Sequence, residues 1–475
     1  MGAGIYSEIP KIFCFPLNGS FPALKAVFQQ IIQRKNNGGE KMESIWTLSS
    51  SLPSFPSLEG DRKTDVLIIG GGIAGILCAK ALQEAGVNYI LLESGRICSG
   101  VTKNTTAKIT SQHGLVYHKL IKQFGHERAQ LYLQANQAAL GRYKELCREI
   151  NCDFEEKDAF VYTMDDVGIL EEECLALDTL GFRADFTARL PLPFPVAGAV
   201  KFPKQAQFNP VKFLSHIARG LNIYEESRVL ELRPGCAVTG RGNVRAEKII
   251  VATHFPFLNK HGSYFIKQYQ HRSYVLALEN APALGGMYVD EDEKGLSFRN
   301  YQNLLLLGGG SHRTGKKGGA WQELEDFAAG CYPEAVPRYR WATQDCMTLD
   351  SVPYIGQYSA RTPGLYVATG FNKWGMSSSM LASTLLRDLV LGRRNDYAPV
   401  FSPSRSILRP ALASNALEAL VGLLTPSQKR CPHMGCALKW NSSEHSWDCP
   451  CHGSRFSESG ALLNNPSTGR LDSKE

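Results

Sequence analysis

Twenty-nine residues constrain this chain more than any others: Asp65 to Glu93, DVLIIGGGIAGILCAKALQEAGVNYILLE. Val66-Leu67-Ile68-Ile69 reads as a buried strand, Gly70 to Gly75 as a turn, Ile76 to about Ala85 as a helix, and the next apolar run as a second strand closing on Glu93. This is a βαβ unit with G-x-G-x-x-G between strand and helix, the arrangement that binds a dinucleotide. Gly70 permits the tight turn, Gly72 lets the backbone approach a pyrophosphate, and Gly75 lets helix and strand pack closely, with Ile73 and Ala74 between them. The helix then presents free N–H groups and its positive end to the phosphates. Glu93, 21 residues after Gly72, is positioned to accept hydrogen bonds from a ribose diol and to repel a 2′-phosphate. A glycine turn can join a buried strand to a helix without any ligand; here the second strand and the acid agree with the fingerprint.

The 475 residues suffice for two or three domains, and the 43% hydrophobic and 20% charged content is that of a soluble globular protein. The net charge of +7 is modest and no Lys/Arg block forms a nucleic-acid footprint, so no nucleic-acid partner is expected. No apolar run has the length of a transmembrane helix. Nine of the thirteen cysteines are scattered without a paired framework, which points to a reducing, cytoplasmic setting; the other four crowd into Cys431 to Cys451.

Residues 1–41 form a separate N-terminal extension without signal-peptide features. Gly38-Gly39-Glu40-Lys41 can be encoded by a purine-rich run resembling a ribosome-binding site, which makes Met42 a candidate start; N-terminal peptides upstream of it would exclude that. Residues 42–64 are a Ser/Pro-rich lead-in. After Glu93, Ser94 to His113 can offer hydroxyls (Ser94, Thr102, Thr106), N–H groups and a cation (Lys103 or Lys108) to a second phosphate and toward a flavin ring, or be a plain polar loop. Residues 115–150 have helical spacing, and 160–202 read as short strands and turns. Val229 lies in a strand-like run, and a strand over 246–253 ends on Ala252-Thr253, where such a domain returns to the nucleotide; His254 beyond it reads more readily as a turn residue than as an acid or base. Residues 271–307 form a strand-rich, substrate-facing block, and Arg272, Arg299 and Arg313 are candidates to hold a substrate carboxylate, against the plainer reading of surface ion pairs. Leu304 to Gly310 lacks a third glycine and a following acid, so one dinucleotide site is expected and no NAD(P) site. A late strand ends on Gly370, and Phe371, Asn372, Trp374, Gly375 and Met376 lead into a helix whose N-terminus suits the electron-rich edge of a reduced flavin.

This ordered set resembles the FAD-dependent D-amino-acid, glycine and sarcosine oxidase family over residues 65–391. The resemblance implies FAD, a glutathione-reductase-type Rossmann-like α/β domain with an inserted antiparallel-sheet substrate domain, interleaved over 65–395, and oxidation of a C–N bond. Sarcosine oxidases carry a lysine shortly after the late glycines that helps bind substrate and oxygen. Ser377 stands at that place, which puts direct oxygen use in doubt; Lys373, four residues earlier, is a catalytic candidate to substitute for that lysine.

At the other end, Cys431-Pro432-His433 is matched after fifteen residues by Cys449-Pro450-Cys451-His452. C-x-H followed by C-x-x-H is the ligand pattern of a Rieske [2Fe–2S] centre; a structural zinc also takes two Cys and two His but leaves two further cysteines unexplained. The segment resembles Rieske proteins of the cytochrome bc type. That resemblance implies Cys431, His433, Cys449 and His452 as ligands and a disulfide between Cys436 and Cys451. It further implies that Ser454 keeps a hydroxyl used by high-potential members and that Phe456 stands where they use a tyrosine, so a middling potential is expected. Residues 396–428 read as a linker containing one apolar helical stretch, and 429–475 as a minimal all-β cluster domain that leans on the flavin domain or on a partner chain.

Together the two resemblances point to the Rieske-containing FAD-dependent oxidoreductases of bacteria. The leading expectation is a dehydrogenase that oxidises a small amine or amino acid and passes electrons through the cluster to an external acceptor. The alternatives are a reductase fed by an external donor, and an electron carrier without a substrate of its own.

Overall fold

The computed structural model describes residues 43–258 and 261–471; the N-terminal extension and the Met42 start lie outside the described residues. The run Arg62–Ile69 becomes the central strand of a largely parallel sheet. Its last four residues are buried, which is why they read as an unbroken apolar run instead of an alternating one. The sheet order is Tyr354–Gln357, Leu365–Thr369, Asn243–Val251, Arg62–Ile69, Tyr89–Leu92 and Ile223–Tyr224, with only the Tyr354–Gln357 edge antiparallel along this path. Register pairs Val66 with Tyr89 and with Lys248, so three strands end together beside Gly70, Glu93 and Ala252. The helices Ile73–Glu84 and Gly375–Val390 pack on this sheet and on each other.

Between these strands the chain builds a second, nine-stranded sheet. Val336–Thr348, Gln268–Glu279, Leu304–Arg313 and Ser297–Tyr301 are antiparallel neighbours; Met287–Asp290 joins this group to Glu155–Thr163 and Gly198–Gln207. Leu304–Arg313, expected to be a strand and then a turn, is strand throughout, because Gln268–Glu279 pairs with it as far as Arg313.

Two local expectations need correction. Within 160–202, expected to be strands and turns only, Val167–Thr179 is a helix, capped by Asp166 Oδ1 accepting from Gly168 N at 2.8 Å. Its apolar residues (Ile169, Leu170, Cys174, Leu175, Leu177) do not fall on one clean face, and the adjacent Asp-Asp and Gly168 look like a turn in sequence. The helical region 115–150 is two helices, Tyr117–Phe124 and His126–Cys147, broken at Gly125, whose φ of 82° is a left-handed value suited to glycine.

The C-terminal strands Lys439–Asn441, Ser446–Asp448, Arg455–Ser457 and Leu462–Asn464 form a small antiparallel sheet. Among the described residues its buried apolar cluster is small: Cys431, Cys436, Leu438, Cys449, Cys451 and Phe456. Such a core supplies little stability by itself. The 396–428 stretch is more than a connector: the helix Pro410–Leu424 sits on the cysteine loops, with Ala437 N donating to Gly422 O at 2.8 Å. A Cβ on Gly422 would collide with Cys451 Sγ.

Candidate functional site

The first site grows from the turn after Ile69. Gly70 has φ 112°, and a Cβ there would stand 2.6 Å from Ala252 O, so only glycine lets the two strand ends meet. A Cβ on Gly75 would overlap the Gly70 carbonyl. Gly72 caps the helix without a side chain, and Ile73 N donates to Thr102 Oγ1 at 3.1 Å. Above this turn opens a cleft of about 350 Å³. Gly70, Gly72, Ile73, Ala74, Glu93, Ser94 and Thr102 line it from the first half of the chain; Val229, Ala252, Thr253, Phe371, Asn372, Gly375 and Met376 line it from the second. A glycine-lined helix N-terminus fits a pyrophosphate. Glu93 turns inward: its carboxylate accepts from Gly71 N at 2.6 Å and from Gly95 N at 2.9 Å, bracing the phosphate turn.

Four residues expected to touch the cofactor do not line this cleft. Gly75 and Gly370 stand behind it as packing positions, because a Cβ on either would strike the neighbouring segment. Thr106 and Trp374 line a second cavity of about 410 Å³. Lys108 also faces that second cavity, while Lys103 lines neither.

The two cavities share a wall containing Thr343, Asp345, Asn372, Lys373 and Gly375. Asn372 and Lys373 are both left-handed, at φ 50° and 69°, and Asn372 Oδ1 holds this kink by accepting from Thr348 N at 2.7 Å. Burial pushes the Asp345 carboxyl up to about 6, partly offset by Lys373 and Arg272. Burial lowers Lys373, which Asp345 and Glu293 partly restore. Lys108 is brought down to about 7 by burial and then by Arg299. His113, held neutral by burial, bonds Tyr132 Oη at 2.6 Å and Ser377 Oγ at 2.9 Å and stacks on Trp374. Ser377 is thus a hydroxyl tied to His113.

None of the three arginines serves a substrate in this arrangement. Arg299 is fully buried and donates to the carbonyls of Thr106 and Ala107 at 2.7 and 2.8 Å. Arg272 grips Glu444 bidentately, and Arg313 donates to Pro450 O at 3.2 Å and Asn415 Oδ1 at 2.7 Å. Two of them therefore hold the C-terminal domain in place. Sequence separation, 172 residues in the case of Arg272 and Glu444, hid those partners.

In that domain two tight loops face each other, each closed by a glycine: Gly435 N donates to Cys431 O at 2.8 Å and Gly453 N to Cys449 O at 2.9 Å. Cys436 and Cys451 are joined as a disulfide, with Cα atoms 6.7 Å apart. This leaves the adjacent thiols of Cys431 and Cys449 and the imidazoles of His433 and His452, whose ring centroids are 5.0 Å apart. Cys431 is drawn down to about 7, first by its hydrogen bond with Cys449, and Ser454 also bonds it. Burial holds His433 and His452 neutral, down at about 4 and 3. His452 Nδ1 is buried and has no hydrogen-bond partner among the described residues. The same hydrogen bond, together with burial, pushes the Cys449 thiol up. Two paired cysteine sulfurs and two neutral imidazoles are the donor set of a cluster with sulfur on one iron and nitrogen on the other.

The two sites adjoin. Gln270 Nε2 donates to His452 O at 2.8 Å and Gln344 Nε2 to Gly453 O at 2.8 Å. The His452 ring meets Phe255 and Phe265 with centroids at 6.5 and 6.1 Å. Phe255 directly follows His254, which lines the cleft in a left-handed conformation, φ 65°. His254 is lowered to about 4 by burial, and its Nε2 has no hydrogen-bond partner among the described residues. The sequence offered only the strand end before it as a signal; Asp345, Gln270 and Gln344, spaced along ordinary strands, offered none.

Comparison with known proteins agrees with both sites. The family model described as FAD dependent oxidoreductase matches residues 65–389, and that described as Rieske [2Fe-2S] domain matches 422–475. The Bacillus subtilis (strain 168) protein YhfW, named as a Rieske 2Fe-2S iron-sulfur protein, is 36% identical over 90% of this chain and 96% of its own length. Gamma-glutamylputrescine oxidoreductase of Escherichia coli (strain K12) is 22% identical over 71% of this chain and 86% of its own. The crystal structure of glycine oxidase from Geobacillus kaustophilus superposes with a TM-score of 0.61 at 21% identity, covering 73% of this chain and all of that one. A Rossmann-like flavin fold interrupted by a second sheet, followed by a small all-β cluster fold, thus has a known lineage: this chain belongs to the FAD dependent oxidoreductase family and carries a C-terminal Rieske [2Fe-2S] domain.

Proposed function

We propose that this protein is a dehydrogenase of small amines that sends electrons from FAD through its own Rieske cluster to an external acceptor. The observation that carries the reading is the shared border of the two sites, where the His452 ring meets Phe255 beside the flavin cleft. In this reading Cys431 and Cys449 hold one iron, His433 and His452 the other, and the residues of the cleft from Gly70 to Met376 hold FAD. When bound, FAD takes two electrons and a proton from the carbon beside the substrate nitrogen, and the cluster carries electrons one at a time.

The chain's own residues favour an amine over an α-amino acid. The second cavity is lined by Asp290, Glu291, Asp292, Glu293 and Asp345 against Lys108, Lys119 and Lys373, and no arginine lines it among the described residues. Its acids attract a cation. Asp345, on the wall shared with the cleft, accepts a hydrogen bond from the substrate nitrogen and orients it, while Trp374 and Met376 close the apolar side. The named activity of the Escherichia coli relative, on a putrescine derivative, supports the same class.

The test is an anaerobic screen of amines, diamines and amino acids on protein with iron and flavin quantified. The expected result is flavin bleaching by an amine together with the EPR signal of a reduced His-ligated [2Fe–2S] cluster. Reduction of the flavin by amino acids but not amines would change the substrate class. A reduced flavin with an EPR-silent cluster would end the relay.

A further inference from the structure

The last C-terminal strand, Leu462–Asn464, and the loop after it reach beyond their own sheet: Leu462, Leu463, Asn464, Asn465, Ser467 and Thr468 all line the cleft above the glycine turn. They are fastened to both of its walls. Asn465 Nδ2 donates to Thr253 O at 2.7 Å and to Phe255 O at 2.6 Å, and Arg228 Nη1 donates to Thr468 O at 3.2 Å. The two carbonyls bridged by Asn465 flank His254, so this one amide clamps a left-handed residue on both sides. The clamped segment is also the one that Gly70 must approach, a Cβ there meeting Ala252 O. The same loop touches the cluster loops, Ser467 N donating to Ser454 Oγ at 2.9 Å, and Gln270 Nε2 on the strand Gln268–Glu279 donates to Asn465 O at 3.0 Å.

We propose that residues 462–468 are a strap of the FAD site, so that the Rieske domain supplies part of the flavin's binding surface and Asn465 is the residue that positions it. The inference rests on assigning the cleft to FAD. Because one segment belongs to both sites, flavin binding and docking of the cluster domain are coupled, each strengthening the other by the same factor. FAD cannot leave freely while the strap is seated.

The test uses the full-length protein, deflavinated and titrated with FAD, with iron content and the EPR spectrum of the reduced cluster measured alongside. Asn465→Ala is expected to weaken FAD binding about tenfold, ~1.4 kcal/mol by the affinity relation. Asn465→Asp, which sets a carboxylate against two carbonyls, is expected to weaken it further. Iron content and EPR line shape should stay as in the parent in both. Parental FAD affinity in both variants overturns the strap, as does loss of iron together with flavin, which would make Asn465 a folding residue of the cluster domain. Glu93→Ala separates the two layers: unchanged FAD affinity in that variant removes the cleft assignment itself.

Discussion

At the scale of single residues, Asp345 joins substrate chemistry to a stability penalty. Its carboxyl, raised to about 6 by burial, binds a proton more tightly in the folded chain than in the unfolded one, where the usual value is about 3.9. The fold therefore loses stability as pH rises from about 4 through 6, and above 6 it carries a half-buried anion. Asp345→Asn should raise Tm by roughly 1–4 °C at pH 7.5 and leave it unchanged at pH 4, as scanning calorimetry would read. The same variant should lose about ten- to hundredfold in kcat/KM for a cationic amine, the worth of one hydrogen bond to a charge. The parent's kcat/KM should rise through about pH 6, and the variant should lack that rise. Phe456 allows a second test. It is fully buried in the core that holds Cys431 and Cys449, and it offers no hydrogen bond to a cluster sulfur. Phe456→Tyr should raise the cluster's midpoint potential by about 40–70 mV, since one hydrogen bond is worth ~1–1.5 kcal/mol and tenfold is 59 mV in a one-electron couple. An EPR-monitored titration showing no shift would mean that the ring is not beside the sulfurs.

At the scale of elements, the strand carrying Arg272 and Tyr274 is bound to the C-terminal hairpin turn through Glu444. Tyr274 Oη donates to Glu444 Oε1 at 3.0 Å and Arg455 Nη2 lies 2.9 Å from Oε2, while the side chains of Arg272 and Glu444 are only 4% and 10% exposed. Burial alone would raise the Glu444 carboxyl, but Arg272 and Arg455 outweigh it and hold it at about 2. Its folded value is depressed, so its contribution is complete above the unfolded value of about 4.3 and is lost as pH falls toward 2. Glu444→Gln should cost about 3–5 kcal/mol at neutral pH, because the buried Arg272 guanidinium loses its counter-charge while Arg455 keeps Asp448, and should flatten the fall of Tm between pH 5 and 2. The strands, glycine turn and late helix were legible in sequence because each is local: buried parallel strands are continuous apolar runs, and a phosphate turn needs glycine at fixed offsets. The C-x-H and C-x-x-H loops were legible for the same reason. The docking contacts were not. Arg272 and Arg313 look like any arginine on a strand, and only the paired sheets bring Glu444 and Pro450 to them. The helix Val167–Thr179 was missed because its apolar residues follow no single stripe.

At the scale of the whole molecule, the cluster domain is too small to stand alone and is held by Arg272, Arg313, Gln270, Gln344 and Asn465 against the flavin domain. The two should therefore melt together. Heating the holoprotein should release flavin, seen by its fluorescence, and bleach the cluster absorbance with midpoints within about 2 °C of each other, a coincidence of probes that marks one cooperative unit. Early loss of the cluster bands over intact bound flavin would show two independent units. No helix among the described residues is long and apolar enough to cross a membrane. The strap carries a last consequence for biosynthesis. The glycine turn of residues 70–75 emerges from the ribosome hundreds of residues before Asn465, yet the cleft gains its final wall only with Thr468. A nascent chain has the first strand and helix of its nucleotide site early and cannot seal it until translation has passed the iron-binding loops. If the strap acts as proposed, a chain stopped before Leu462 should bind flavin more weakly than the full chain.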